Sequence, residues 1–142
     1  DKAESARYLA TIGETKWVNT WKGAKNESCG TETFPCASLD YLLQQTVPLS
    51  PFNVTIYIAS GSLLDETISL QNASLVSIIG YGGPEKAEFQ CMGNGSAPSA
   101  LKIVNSSRIY VANITFTNCG TEESNVFITE SVDVVFENCV FR

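Results

Sequence analysis

The groups able to do chemistry in this 142-residue chain are five cysteines, scattered carboxylates and a set of asparagine acceptors, and there is no histidine. Without imidazole the chain lacks the usual general base, the usual transition-metal ligand and every Ser-His or Cys-His nucleophile pair. The only aspartates, Asp1, Asp40, Asp65 and Asp133, are spread along the chain. Glu122 and Glu123, with Glu130 and Glu137 further on, could form an outward acidic patch holding Ca²⁺ if backbone oxygens completed the coordination shell. A solvated acidic loop is the plainer reading. No catalytic, cofactor-binding or metal-ligating residue can be assigned from these groups.

Asparagine acceptors are the more informative set. Asn26, Asn53, Asn72, Asn94, Asn105 and Asn113 are each followed two residues later by Ser or Thr, the acceptor pattern for N-linked glycans. Ten asparagines and 27 Ser plus Thr in 142 residues would give roughly two such sites by chance, so the excess points to the secretory pathway. The chain opens on Asp1 and its only methionine is Met92, which suits either a processed mature end after signal-peptide removal or an imposed boundary. Five cysteines fit an oxidising compartment, although an odd number leaves at least one without an internal partner. Cys29 and Cys36 close the short loop CGTETFPC and are expected to form a local disulfide rather than a metal site.

Composition narrows the function classes. A chain that is 44% hydrophobic and 17% charged describes a globular domain rather than a disordered tail. No apolar run is long enough to span a bilayer. Nine Lys and Arg against fifteen Asp and Glu, with no basic cluster, argue against nucleic acid as a partner.

The elements that must carry these groups repeat. Residues 68–70, 101–103 and 126–128 are apolar-x-apolar triplets, followed by the five-residue corners QNASL, VNSSR and TESVD, and then by the triplets 76–78, 109–111 and 134–136. The corners place Ser74 and Ser107 at the fourth position, with Ser131 displaced by one. Offsets of this size with such short strands indicate a solenoid. Gly80, Asn113 and Asn138 fall in one column, and Gly and Asn tolerate the left-handed backbone of a sharp corner. The expected fold is all-β, a right-handed parallel β-helix with three short strands per coil. Its stacked columns would be Val76, Ile109 and Val134; Ile78, Val111 and Phe136; and Phe116 under Phe141. Val54, Ile56 and Ile58 alternate as a further strand, and Ser38 is a good N-cap for a short helix bearing Leu39, Leu42 and Leu43 on one face. Residues 1–50 are thus expected to cap the first coil, with Trp17, Val18 and Trp21 adding to the cap, and 51–142 to form the coils.

The runs CGTETFPCASLDYLLQQ, VTIYIASGSLLDETISLQNASLVSIIGYGG, FQC and ITFTNCG resemble the N-terminal cap and first coils of pectin-lyase-like right-handed β-helix domains, in the cysteine-containing version of secreted and cell-surface proteins. Pectate lyases of this fold use aspartate-bound calcium with an arginine base, and the related hydrolases use close aspartates with a histidine. None of those residues can be carried over to a position here. The coil register implied by the resemblance brings Cys91 near Cys119 as a second disulfide and leaves Cys139 inward, unpaired or joined to an external cysteine. A Cys119–Cys139 pair has similar spacing and stays open.

Tyr81, Tyr110 and Phe127 are nominally outward aromatics that could stack on sugar rings. The chain reaches Arg142 within a coil, so Val134, Phe136, Phe141 and Arg142 are expected to border an assembly edge, covered by a continuation of the chain or by a same or similar β-helical chain. The functional expectation is a non-enzymatic extracellular glycoprotein module, structural or adhesive, with N-linked glycans, no cofactor and no membrane insertion. The alternatives are the N-terminal part of a carbohydrate-active lyase or hydrolase whose catalytic coils lie elsewhere, and a ligand-binding receptor ectodomain.

Overall fold

The computed structural model describes residues 14–46, 54–65, 67–82, 86–90, 99–117 and 126–142. The described chain is mostly β, with one short helix, and every strand pairing in it is parallel. The strands are β1 Glu14–Val18, β2 Val54–Ala59, β3 Leu63–Asp65, β4 Ile68–Gln71, β5 Ser74–Tyr81, β6 Ala87–Gln90, β7 Leu101–Val104, β8 Ser107–Ala112, β9 Ile114–Thr117, β10 Val126–Thr129, β11 Val132–Glu137 and β12 Val140–Phe141; α1 is Leu39–Thr46. They form three sheets, ordered β1-β2-β5-β8-β11, β3-β6-β9-β12 and β4-β7-β10. From β2 onward the chain visits the sheets in that rotation, one strand in each per circuit.

Register explains why such short strands hold. Val76 pairs with Ile109 and Ile109 with Val134; Ile78 pairs with Val111 and Val111 with Phe136; Phe89 pairs with Phe116 and Phe116 with Phe141. Alternate residues of each strand point the same way, so like-facing apolar residues of successive circuits meet in columns between the sheets. Ile56, Ile78, Val111, Leu64, Phe89, Phe116, Leu70 and Ile103 are fully buried there. Burying side chains of this size contributes roughly 1.5–3 kcal/mol each, and no strand alone could supply that.

Each corner between the third sheet and the first has two residues in the left-handed region. They are Asn72 and Leu75, Asn105 and Arg108, and Glu130 and Asp133, all with φ between 50° and 59°. The bend is therefore a fixed repeating shape rather than a glycine turn. Its buried amides are satisfied by serine: Ser106 Oγ accepts from Ala73 N at 3.1 Å and donates to Val104 O at 2.9 Å. Ser131 repeats both bonds, accepting from Ser106 N and donating to Thr129 O, each at 3.0 Å. Ser131 thus occupies the position of Ser106 and is not a displaced copy of Ser107, since Val132 is the residue in register with Ser107.

At the other corner Asn113 and Asn138 are left-handed, with φ 59° and 55°. Gly80 shares their column but keeps a negative φ inside β5. Its requirement is close approach, because a Cβ there would lie 2.2 Å from Asn113 O. The sequence expectation of a left-handed Gly80 is corrected on this point.

The first end is closed. Ser38 caps α1 as expected, its Oγ accepting from Tyr41 N at 3.1 Å, and Leu39, Leu42 and Leu43 are buried in the core. Cys29 and Cys36 are disulfide-bonded. The bridged loop lies along β1: Trp17 N donates to Gly30 O, Cys36 N to Trp17 O and Asn19 N to Cys36 O. β1 itself, which the sequence left unassigned, extends the first sheet by pairing with β2.

Candidate functional site: the open end of the sheets

Among the described residues the last circuit, β10 to β12, ends all three sheets. Its residues continue the buried columns but lose their cover: Phe141 is 52% exposed where Phe89 and Phe116 are 0%, and Ile128 is 42% exposed where Ile103 is 0%. Val134, Phe136 and Cys139 are only partly buried against the core, and Val135 is exposed. Phe141 stacks on Phe116 with centroids 5.2 Å apart and planes 8° from parallel, and Phe136 packs edge-on to both. Of the expected edge residues, Phe136 and Phe141 touch, Val134 is partly buried against the core, and Arg142 N donates to Phe116 O while the residue lines the outer cleft described next. The end presents an apolar cross-section ringed by three parallel strand edges, a template for further parallel strands. Its side-chain ladders point the same way, since Asn138 Nδ2 donates to Asn113 Oδ1 at 2.6 Å and Ser131 Oγ serves Ser106 N.

Two other surface features have depth. A cleft of about 540 Å³ on the outer face of the second sheet is lined by Trp21, Leu63, Lys86, Glu88, Thr115 and Arg142 among others. Its polar groups are engaged by the chain: Glu88 accepts from Thr117 Oγ1 at 2.8 Å and Gln90 Nε2 at 3.1 Å, and Lys86 Nζ donates to Asn138 O at 2.7 Å. On the outer face of the first sheet, Trp17, Tyr57 and Tyr81 form an aromatic cluster with centroids 4.8–5.7 Å apart. Sequence reading named Tyr81 as an outward aromatic and Trp17 only as part of the cap, because β1 was unassigned and only the strand register aligns Trp17 with Tyr57. Tyr110 and Phe127 stand apart from that cluster. The Tyr110 hydroxyl donates to Glu137 Oε1, and this hydrogen bond holds the phenol's pKa above its ordinary value. Lys102 Nζ sits 5.9 Å from the Phe127 ring centroid.

Carboxylates do not gather into a metal site among the described residues. Asp40 lies in the first turn of α1, accepting from Gln44 Nε2, and Asp133 occupies a left-handed corner. Glu130 stands at that same corner and Glu137 at the far end of β11, while Glu122, Glu123 and Asp1 lie outside the described residues.

Cys139 carries a free thiol, half-buried and near Val111 O and Glu137 O. Cys91 and Cys119 lie outside the described residues, as do the acceptors Asn53 and Asn94. Asn26 is exposed in the cap, and Asn72, Asn105 and Asn113 stand at left-handed corners. The Cys29–Cys36 disulfide suits an oxidising, extracellular-type environment. No helix among the described residues is long and apolar enough to cross a membrane. No family model matches the chain, and no curated protein matches it either.

Proposed function

We propose that the chain is a right-handed parallel β-helix of the pectin-lyase-like type, acting as a non-enzymatic structural or adhesive module of an extracellular glycoprotein. Its working surface is the open end, where Val134, Phe136, Phe141 and Arg142 receive another β-helical coil from the same or a similar chain. The observation that carries this reading is the contrast in burial along single columns, from fully buried Phe116 to half-exposed Phe141. Apolar area of that kind is stabilised by cover. Scattered aspartates and the absence of histidine support a role in spacing and assembly rather than catalysis.

Sedimentation and light scattering across a concentration series test the assembly. The wild-type chain is expected to self-associate, and a Phe136→Lys, Phe141→Lys double variant to stay monomeric. A strictly monomeric wild type whose last circuit is protected from hydrogen exchange at high concentration would overturn the open end as a working surface. Turnover of any polymer in a panel of uronic-acid polysaccharides would overturn the non-enzymatic assignment.

A further inference from the structure

Four of the six glycan acceptors lie among the described residues, and their amides are not equivalent. Asn26, Glu27 and Ser28 are all exposed. Asn26 Oδ1 accepts from Ser28 N at 3.0 Å and Ser28 Oγ at 2.9 Å, and its Nδ2 donates to no group among the described residues. Two of the corner asparagines, Asn105 and Asn113, have theirs committed. Asn105 Nδ2 donates to Asn72 Oδ1 at 2.6 Å. Asn113 sits between two neighbours, donating to Gly80 O at 3.3 Å and accepting from Asn138 Nδ2 at 2.6 Å. The residues completing those two acceptor patterns are also built in: Ile114 and Thr115 are buried after Asn113, and after Asn105 Ser106 is buried and Ser107 is half-buried in β8.

We propose that Asn26 is the modification site for an N-linked glycan in the cap, and that Asn105 and Asn113 are structural rungs whose amides stay bare in the folded protein. The inference rests on the extracellular reading above. In the modification, Asn26 Nδ2 bonds to C1 of an oligosaccharide carried on a polyprenyl pyrophosphate. The C1–O bond breaks, the pyrophosphate leaves with the electron pair, and the amide gives up one proton. At Asn26 the sugar would extend into solvent. At Asn113 it would have to fit between rungs about 4.8 Å apart, less than the width of a pyranose ring with its substituents, and would displace Gly80 or Asn138 from the ladder. The fold also explains part of the acceptor excess: a corner that selects Asn for its left-handed backbone, followed by a Ser- and Thr-containing strand, generates acceptor patterns without selection for glycans.

Secretion from a eukaryotic host behind a supplied signal sequence, followed by enzymatic deglycosylation that converts each occupied asparagine to aspartate and by peptide mapping, tests the assignment. In the secreted, disulfide-bonded fraction Asn26 is expected to be occupied and Asn105 and Asn113 bare. Occupancy of Asn105 or Asn113 in that fraction, or a bare Asn26, would overturn the proposal. Two variants give an independent readout. Asn26→Gln should lower the mass by one glycan without changing the melting temperature. Asn113→Gly, which keeps the left-handed backbone, should leave the glycan mass unchanged; loss of a glycan there would also overturn it. Because the host supplies the secretory route, this outcome is separate from where the native protein resides, which fractionation of its own cells reads directly.

Discussion

The two ends of the stack meet the same physical requirement in different ways. At the first end the apolar columns run into Val18, Cys36 and the α1 leucines, all buried. The edge of β1 is bonded to the disulfide loop, and in the second sheet Leu63 N finds Thr20 Oγ1 at 3.1 Å while Trp21 Nε1 reaches Gly61 O at 3.0 Å. At the other end the same columns reach Val134, Phe136 and Phe141 with no such cover among the described residues. The difference teaches that closure is encoded in irregular chain, whereas propagation is encoded in repeats. A cap must satisfy strand edges with whatever donors its loops can bring. A circuit need only copy the one before it.

The largest test of this contrast is a pair of truncations in one column. Phe116→Ala removes a fully buried ring between Phe89 and Phe141 and is expected to cost about 3–5 kcal/mol. Phe141→Ala, already half exposed, should cost about 1 kcal/mol. Denaturant midpoints compare them, and equal losses would mean that the last circuit is covered in solution.

Next comes the cap. Replacing Cys29 and Cys36 together by Ser should cost about 2 kcal/mol, because the short loop they close gains freedom in the unfolded chain. Hydrogen exchange should quicken first in β1, at Trp17 and Val18. Cys139→Ser serves as the control at the open end and should leave those amides unaffected.

A smaller effect compares one device in two settings. Ser106→Ala deletes a buried hydroxyl that bridges Ala73 N and Val104 O, with an expected loss of about 1–2 kcal/mol. Ser131→Ala removes the equivalent bonds one circuit later, where the side chain is only half buried, so water can replace them and the loss should be less than half as large. Thermal melts of the two variants rank the circuits; a larger loss for Ser131 would contradict the burial gradient.

How much of this was legible in the sequence follows from the same division. The columns Val76, Ile109 and Val134 and Phe116 with Phe141 could be read because a gapless copy must stack in register. The Ser38 cap of α1 and the Cys29–Cys36 bridge could be read because both are local. β1 could not, since Glu14, Lys16 and Trp17 carry no apolar alternation and the partner β2 lies across the whole cap. The left-handed backbone at Leu75 and Arg108 left no trace in residue type, because it is imposed by the corner rather than chosen by the residue. Gly80 misled for the opposite reason: glycine signals either a positive φ or a close approach, and its type alone does not say which. The outer cleft drew on the cap at Trp21 and was missed.

The smallest predicted effect concerns pH and the outer face of the last pairing in the first sheet. Tyr110 in β8 donates its hydroxyl to Glu137 in β11, and ionising the phenol would both lose that bond and set two negative charges together, which is why its pKa is raised. In the unfolded chain the phenol titrates near its ordinary value of about 10. Below that pH the contribution to stability is fully present. As pH rises past it the unfolded phenol ionises first, so the contribution is lost progressively up to the raised value in the folded state. The pair is exposed, so the change is small and is best read as a difference between proteins. The stability gap between wild type and Tyr110→Phe should be constant below about pH 9 and narrow above about pH 10. Ultraviolet titration should show Tyr110 as a phenol ionising above the ordinary range, and that signal should vanish in Glu137→Gln if the carboxylate is its cause. A late-titrating phenol that survives Glu137→Gln would assign the shift to burial instead, and would mean that the outer face of β8 and β11 is covered in solution.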